Sequence, residues 1–241
     1  MKLTRTDGLR PSYRLCVAIF SMGLGLPAVG LAATSGEDIL KNQCSTCHNL
    51  TGPSPSTLQE LWARKGPDLF YAGVKYKEEW LEHWLQKPAR IRPAGEFYAD
   101  HAKPAPKGDA IDTSTLASHP ALPEADAKAV TAALMRHKAK AELIKPGSYT
   151  PGAISKSSGE MLFDKFKGCL ACHEIEPGYG GLSGPEVYTA ADRLQEGYLV
   201  SYLHDPQAWD PKIFMPNRHL SDTDIQKFVD YFRLLSQEGK R

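Results

Sequence analysis

The pentapeptide Cys-x-x-Cys-His occurs twice in this chain, as CSTCH at Cys44, Cys47 and His48 and as CLACH at Cys169, Cys172 and His173. Whatever these thiols and imidazoles hold has to be built into the fold. Three ordinary readings each meet an obstacle. A zinc ribbon brings its two pairs close together in sequence, whereas well over a hundred residues separate these. A thioredoxin-like exchange pair has no use for a His directly after its second Cys and seldom occurs twice. A disulfide framework suits an exported chain but leaves both histidines unexplained. The same pentapeptide is the attachment signal for c-type haem. Positions i and i+3 share one helix face, so two thiols can reach the two vinyl groups along one porphyrin edge while the next residue turns its imidazole to the iron. Two covalently attached haem c groups are therefore expected, on Cys44 with Cys47 and on Cys169 with Cys172, with His48 and His173 as iron ligands.

Ahead of the first pair, residues 1–33 read as a secretory signal. Lys2, Arg5, Arg10 and Arg14 form a basic head, and the uncharged apolar run Leu15 to Ala33 contains the fifth cysteine, Cys16. Cleavage is expected after Ala32 or Ala33. If the run is not cut, its length could just span a bilayer as an anchor, so membrane association is expected only in that case. Either way the rest of the chain is exported, to the periplasm or its periplasmic face. The remainder carries 25 basic and 27 acidic residues. So even a balance argues against nucleic acid as a partner, since that needs a concentrated basic face.

Beyond the pentapeptides, four landmarks recur in the same order. SGEDILKNQCSTCH from Ser35 aligns with SGEMLFDKFKGCLACH from Ser158, the second being two residues longer before its first Cys. GPDL at Gly66 is followed in the other half by GPEV at Gly184. WLEHWLQKP from Trp80 matches YLVSYLHDP from Tyr198. Last come a His-Pro run at His119 and a Met-Pro run at Met215, each leading into a helical pattern. Internal repetition of this kind indicates duplication. The Pro, Gly and Ser of residues 146–157 read as a linker between repeats at 34–145 and 158–241. Each repeat is expected to have an opening helix, a middle helix ended by Pro88 or Pro206, and a closing helix begun at Pro123 or Ser221.

On these motifs the chain resembles the class I cytochromes c, in the tandem form with one haem per domain. The resemblance covers essentially everything after residue 33. It implies an all-α fold of two cytochrome c-like helical domains, each built around a covalent haem that supplies much of its core, so apo-protein is expected to fold poorly. It also implies that Pro67 and Pro185 orient the ligand imidazoles through their backbone carbonyls, the alternative for each being a plain turn. Met215 matches the family's ligand methionine and would give the second haem His/Met ligation. Aligning the repeats puts His119 opposite Met215, which would give the first haem His/His ligation. His101, Lys103 and Met135 compete with His119 for that role; the first two lie in an excursion that makes the Pro88 to His119 interval 31 residues, against nine from Pro206 to Met215.

Two saturated irons imply electron transfer between a redox donor, for instance a dehydrogenase subunit, and a downstream acceptor. A His/His haem normally sits below a His/Met haem in potential, so electrons are expected to enter through the first and leave through the second. The alternative is a dihaem oxidoreductase, thiosulfate dehydrogenase-like or peroxidase-like, with a catalytic first haem. The former typically places a Cys thiolate on its catalytic iron, and no fifth Cys remains after residue 33.

Overall fold

The computed structural model describes residues 35–106 and 108–239, together with Lys2. The expected signal, residues 1–33, lies outside the described residues apart from Lys2. In the first half, helices α1 (Gly36–Asn42), α2 (Leu58–Trp62), α3 (Ala72–Lys75) and α4 (Glu78–Gln86) precede a hairpin of β1 (Ala102–Ala105) and β2 (Gly108–Ile111) and a closing helix α5 (Glu124–Leu134). In the second half, α6 (Lys156–Met161) is followed by β3 (Glu174–Glu176), β4 (Tyr179–Gly180), α7 (Ala190–Arg193), α8 (Glu196–His204), α9 (Pro206–Trp209) and α10 (Asp222–Glu238).

Local chemistry explains most of these limits. Ser35, Ser155 and Ser221 each cap a helix by accepting an N–H in its first turn, from Asp38, Ser158 and Asp224. Thr57 and Glu60 form a reciprocal capping box on α2. The longer approach to the second Cys pair is taken up by a π-helical stretch, Leu162–Phe166, and by Gly168 at φ +68°. Both approaches then end in a short 3-10 turn, Cys44–Thr46 and Cys169–Ala171.

In each half the opening helix crosses the closing helix at a glycine. A Cβ on Gly36 would lie 2.0 Å from the Ala129 carbonyl oxygen of α5, and one on Gly159 would lie 2.2 Å from the Tyr231 ring of α10. Only a residue without a side chain leaves room for so close an approach. The middle helices repeat as well: Trp80 stacks on Trp84 in α4 at 5.7 Å between ring centres, and Tyr198 on Tyr202 in α8 at 5.4 Å. These pairs are four residues apart and so share a helix face.

The expectation of an all-α fold is corrected by the two antiparallel hairpins. β1 pairs with β2 from Ala102↔Ile111 to Ala105↔Gly108, and β3 pairs with β4 through an irregular register. The helix is the main element, but the fold is mixed. The cause is local: Gly108, Gly178 and Gly180 all take positive φ, which allows tight reversals that helical periodicity does not reveal. Pro104 is tolerated because a two-stranded ribbon leaves each strand an open edge.

The described residues from Ser35 onward pack as one compact unit. The halves meet where Tyr76 pairs with Leu194 in an antiparallel bridge. Lys77 N–H donates to the Arg193 carbonyl at 3.0 Å and Gln195 N–H to the Lys75 carbonyl at 2.9 Å. Side chains repeat the exchange: Lys77 Nζ donates to the Ala191 carbonyl at 2.9 Å, and Gln195 Nε2 to the Gly73 carbonyl at 3.1 Å. Under the alignment of Trp80 with Tyr198, each bond is the mirror of its partner, so the repeats meet about a local two-fold relation. A buried ion pair, Arg64 Nη1 with Asp210 Oδ2 at 2.6 Å, adds a second junction. The 146–157 segment is not free: Tyr149 Oη and Gly152 N–H both donate to Asp230 of α10, at 2.6 and 2.9 Å.

Candidate functional site

Each Cys pair is presented by a single turn of backbone. Cys47 N–H and His48 N–H donate to the Cys44 carbonyl at 3.1 and 2.9 Å, and Cys172 N–H and His173 N–H to the Cys169 carbonyl, both at 3.1 Å. The four cysteines are unbridged. Burial pushes the Cys44 thiol above its ordinary pKa, with Cys47 adding to the effect, and pushes Cys169 up to about 11. Thiol–disulfide exchange runs through a readily formed thiolate, which these surroundings oppose.

The histidine following each pair is held in the same way in both halves. His48 Nδ1 donates to the Pro67 carbonyl at 2.8 Å and His173 Nδ1 to the Pro185 carbonyl at 2.6 Å. Each bond commits Nδ1 and leaves Nε2 as the free ligand atom. The preceding glycines fix the ring positions. A Cβ on Gly66 would lie 2.7 Å from His48 Cε1, and one on Gly184 would lie 2.6 Å from His173 Cε1 and Nδ1. Burial lowers the pKa of both imidazoles, and His119 acts in the same direction on His48. Both rings are therefore biased to the neutral form, the one that ligates metal. The acidic residue after each proline is buried and ion-paired, Asp68 with Arg64 at 3.4 Å and Glu186 with Arg193 at 3.5 Å. Burial also raises the Asp68 pKa despite the guanidinium.

His119 is brought face to face with the first site: its ring centre is 6.1 Å from that of His48, with the planes at 51°. Two imidazoles bonded to opposite sides of one metal ion at about 2 Å each have ring centres roughly 6 Å apart, so the spacing fits one iron between them. His119 Nδ1 donates to the Pro120 carbonyl at 2.9 Å, which leaves its Nε2 free, and Trp84 flanks the ring at 4.7 Å. Two of the competing residues, His101 and Lys103, have other side-chain partners. His101 Nδ1 is bonded to Thr115 Oγ1 at 2.7 Å and Lys103 Nζ pairs with Asp112 at 3.3 Å. Met135 caps the end of α5, where its backbone abuts Gly73.

In the second half, Met215 lies in the loop before α10, packed against the core, with its carbonyl accepting from Gln207 Nε2 at 2.8 Å. Phe163 meets the His173 ring edge to face at 6.4 Å. Among the described residues, no three His, Cys, Asp or Glu side chains converge on a metal-sized site, and no helix is long and apolar enough to cross a membrane.

Unbridged paired thiols beside an imidazole with a free Nε2, twice over, form a donor set suited to covalent haem. Gly66 and Gly184 shape the candidate site in a way that motif reading did not assign, and Trp84 borders it. For the glycines, the recurrence of Gly-Pro was the available signal. No family model, curated protein or solved structure matches the chain.

Proposed function

We propose that this chain is an exported dihaem c-type cytochrome of the periplasm that carries electrons between a redox donor, such as a dehydrogenase subunit, and a downstream acceptor. The observation that carries the reading is the His48–His119 pair at 6.1 Å, each ring tied through Nδ1 to a proline carbonyl. Cys44 and Cys47 would hold the first haem by thioether bonds and Cys169 and Cys172 the second. His48 and His119 would ligate the first iron, His173 and Met215 the second. Bound haem supplies a one-electron couple. The residues around it set the direction: a thioether favours ferrous iron more than a second imidazole does, so electrons enter at the first half and leave from the second.

Protein made in a host that exports and attaches haem is expected to gain the mass of two iron-porphyrins. Cys44→Ser with Cys47→Ser is expected to remove one of them. Colourless protein, or no added mass, would sink the reading. His119→Ala is expected to abolish the His/His EPR signal while leaving the His/Met signal in place. His119 is exposed and stands in a segment without helix or strand, an arrangement that favours the catalytic alternative if the residue detaches. Carbon monoxide binding by the reduced wild-type protein, or turnover of peroxide or thiosulfate, would establish that alternative.

A further inference from the structure

The excursion after Pro88 does not stay with its own half. The Ile91 carbonyl accepts from Glu186 N–H at 2.8 Å, and Ala94 N–H donates to the Leu182 carbonyl at 3.2 Å. Residues 91–94 therefore lie along the second-half loop that carries Pro185. One of these bonds falls on a peptide already in use. The Pro185–Glu186 peptide accepts His173 Nδ1 on its carbonyl at 2.6 Å and donates its N–H to Ile91. Hydrogen bonds at both ends of one peptide strengthen each other, so the relay that orients His173 ends in the other half.

Arg92 sits between these two tethers. Its Nη1 donates to the Glu96 carbonyl at 3.1 Å, which folds the segment back on itself, and its neighbour Ile91 holds the peptide that orients His173. The other groups facing His173 include Arg193 and Glu186, an ion pair at 3.5 Å that offsets its own charge. Beyond Arg92, the Glu96 carboxylate lies 3.8 Å from Arg64, and Phe97 meets Phe214, the neighbour of Met215, edge to face at 6.4 Å. One short segment thus touches the surroundings of His173 and Met215 and the ion-pair network beside Pro67.

We propose that residues 91–97 are a strap through which the first half sets the reduction potential of the second haem, with Arg92 supplying the charge. The inference rests on the reading that Cys169 and Cys172 carry haem. A fixed cation near the ligand imidazole disfavours the more positive ferric state and so raises the potential. This acts in the same sense as the Met215 thioether and widens the gap between the two centres.

The test is a redox titration of the full-length haem-loaded protein, followed by EPR so that the two ligand sets are read separately. Arg92→Gln is expected to shift the second midpoint downward and leave the first in place, while Arg92→Lys stays near wild type. A second midpoint unmoved by Arg92→Gln, or equal shifts at both centres, would overturn the proposal. If Arg92→Gln does not accumulate with both haems, Arg92→Lys is read alone. It keeps the charge but loses the guanidinium fork, so an unmoved midpoint supports the electrostatic role and a fall overturns it in favour of packing. Absence of covalent haem from the wild-type protein would instead refute the cytochrome reading and is seen in the mass before any titration.

Discussion

A single methyl group tests how the imidazole after each Cys pair is held. Gly66→Ala would place a Cβ 2.7 Å from His48 Cε1, and Gly184→Ala would place one 2.6 Å from His173. The ring has to turn, and its bond to the proline carbonyl weakens. Each substitution is expected to cost about 1–3 kcal/mol by overpacking, and on the proposed dihaem reading each should disturb the EPR signal of its own site while sparing the other. Disturbance of both signals by either variant would contradict the independence of the two sites. At this scale much is legible in the sequence, because the Cys-x-x-Cys-His spacing is fixed and a repeated chain shows its equivalences directly. His119 was singled out by standing it opposite Met215, and its ring lies 6.1 Å from that of His48. The contact of Trp84 with His119 was not legible, since it joins α4 to a loop far along the chain and leaves no local pattern.

Helix crossings carry the next level of organisation. The opening and closing helices of the two repeats touch at Gly36 and Gly159, and the obstacles differ. Gly36 faces a backbone carbonyl that cannot rotate away, whereas Gly159 faces the buried ring of Tyr231. Gly36→Ala is therefore expected to force α1 and α5 apart and to lose at least the 1–3 kcal/mol typical of an overpacked core, measured as a fall in the denaturant midpoint. A midpoint within error of wild type would show that the crossing can relax. The helices themselves follow from signals that act over a few residues, such as Ser221 capping α10 or Pro206 stopping α8 and opening α9. The hairpin at Ala102–Ala105 and Gly108–Ile111 does not, because Pro104 argues against a strand and the positive φ of Gly108 is not announced by any periodicity. That is why an all-helical expectation fails even though the helix is the main element among the described residues.

Over the whole molecule, the two repeats behave as one body because their junction is built from paired, partly buried bonds. Gln195 Nε2 donates to the carbonyls of Gly73 and Tyr76, at 3.1 and 2.7 Å, and Arg64 reaches Asp210 with both side chains almost fully buried. Gln195→Ala leaves two carbonyls without this donor, at a cost of about 1–3 kcal/mol for each that stays dry. Asp210→Asn breaks a buried ion pair, which typically costs roughly 3–5 kcal/mol; Asp68 remains 3.4 Å from Arg64 and should reduce the loss. The sites are more than 100 residues away from their partners in sequence, which is why no local pattern announced them. In the wild-type protein carrying the two proposed haems, denaturant curves followed by far-UV circular dichroism and by haem absorbance are expected to coincide, the signature of a single cooperative unit. In the double variant Gln195→Ala with Asp210→Asn the curves should separate, one repeat unfolding before the other. Coincident curves in that variant would mean that the repeats are coupled chiefly through other contacts, such as the strap at residues 91–97 or the stacking of Tyr71 on Tyr198 at 6.4 Å.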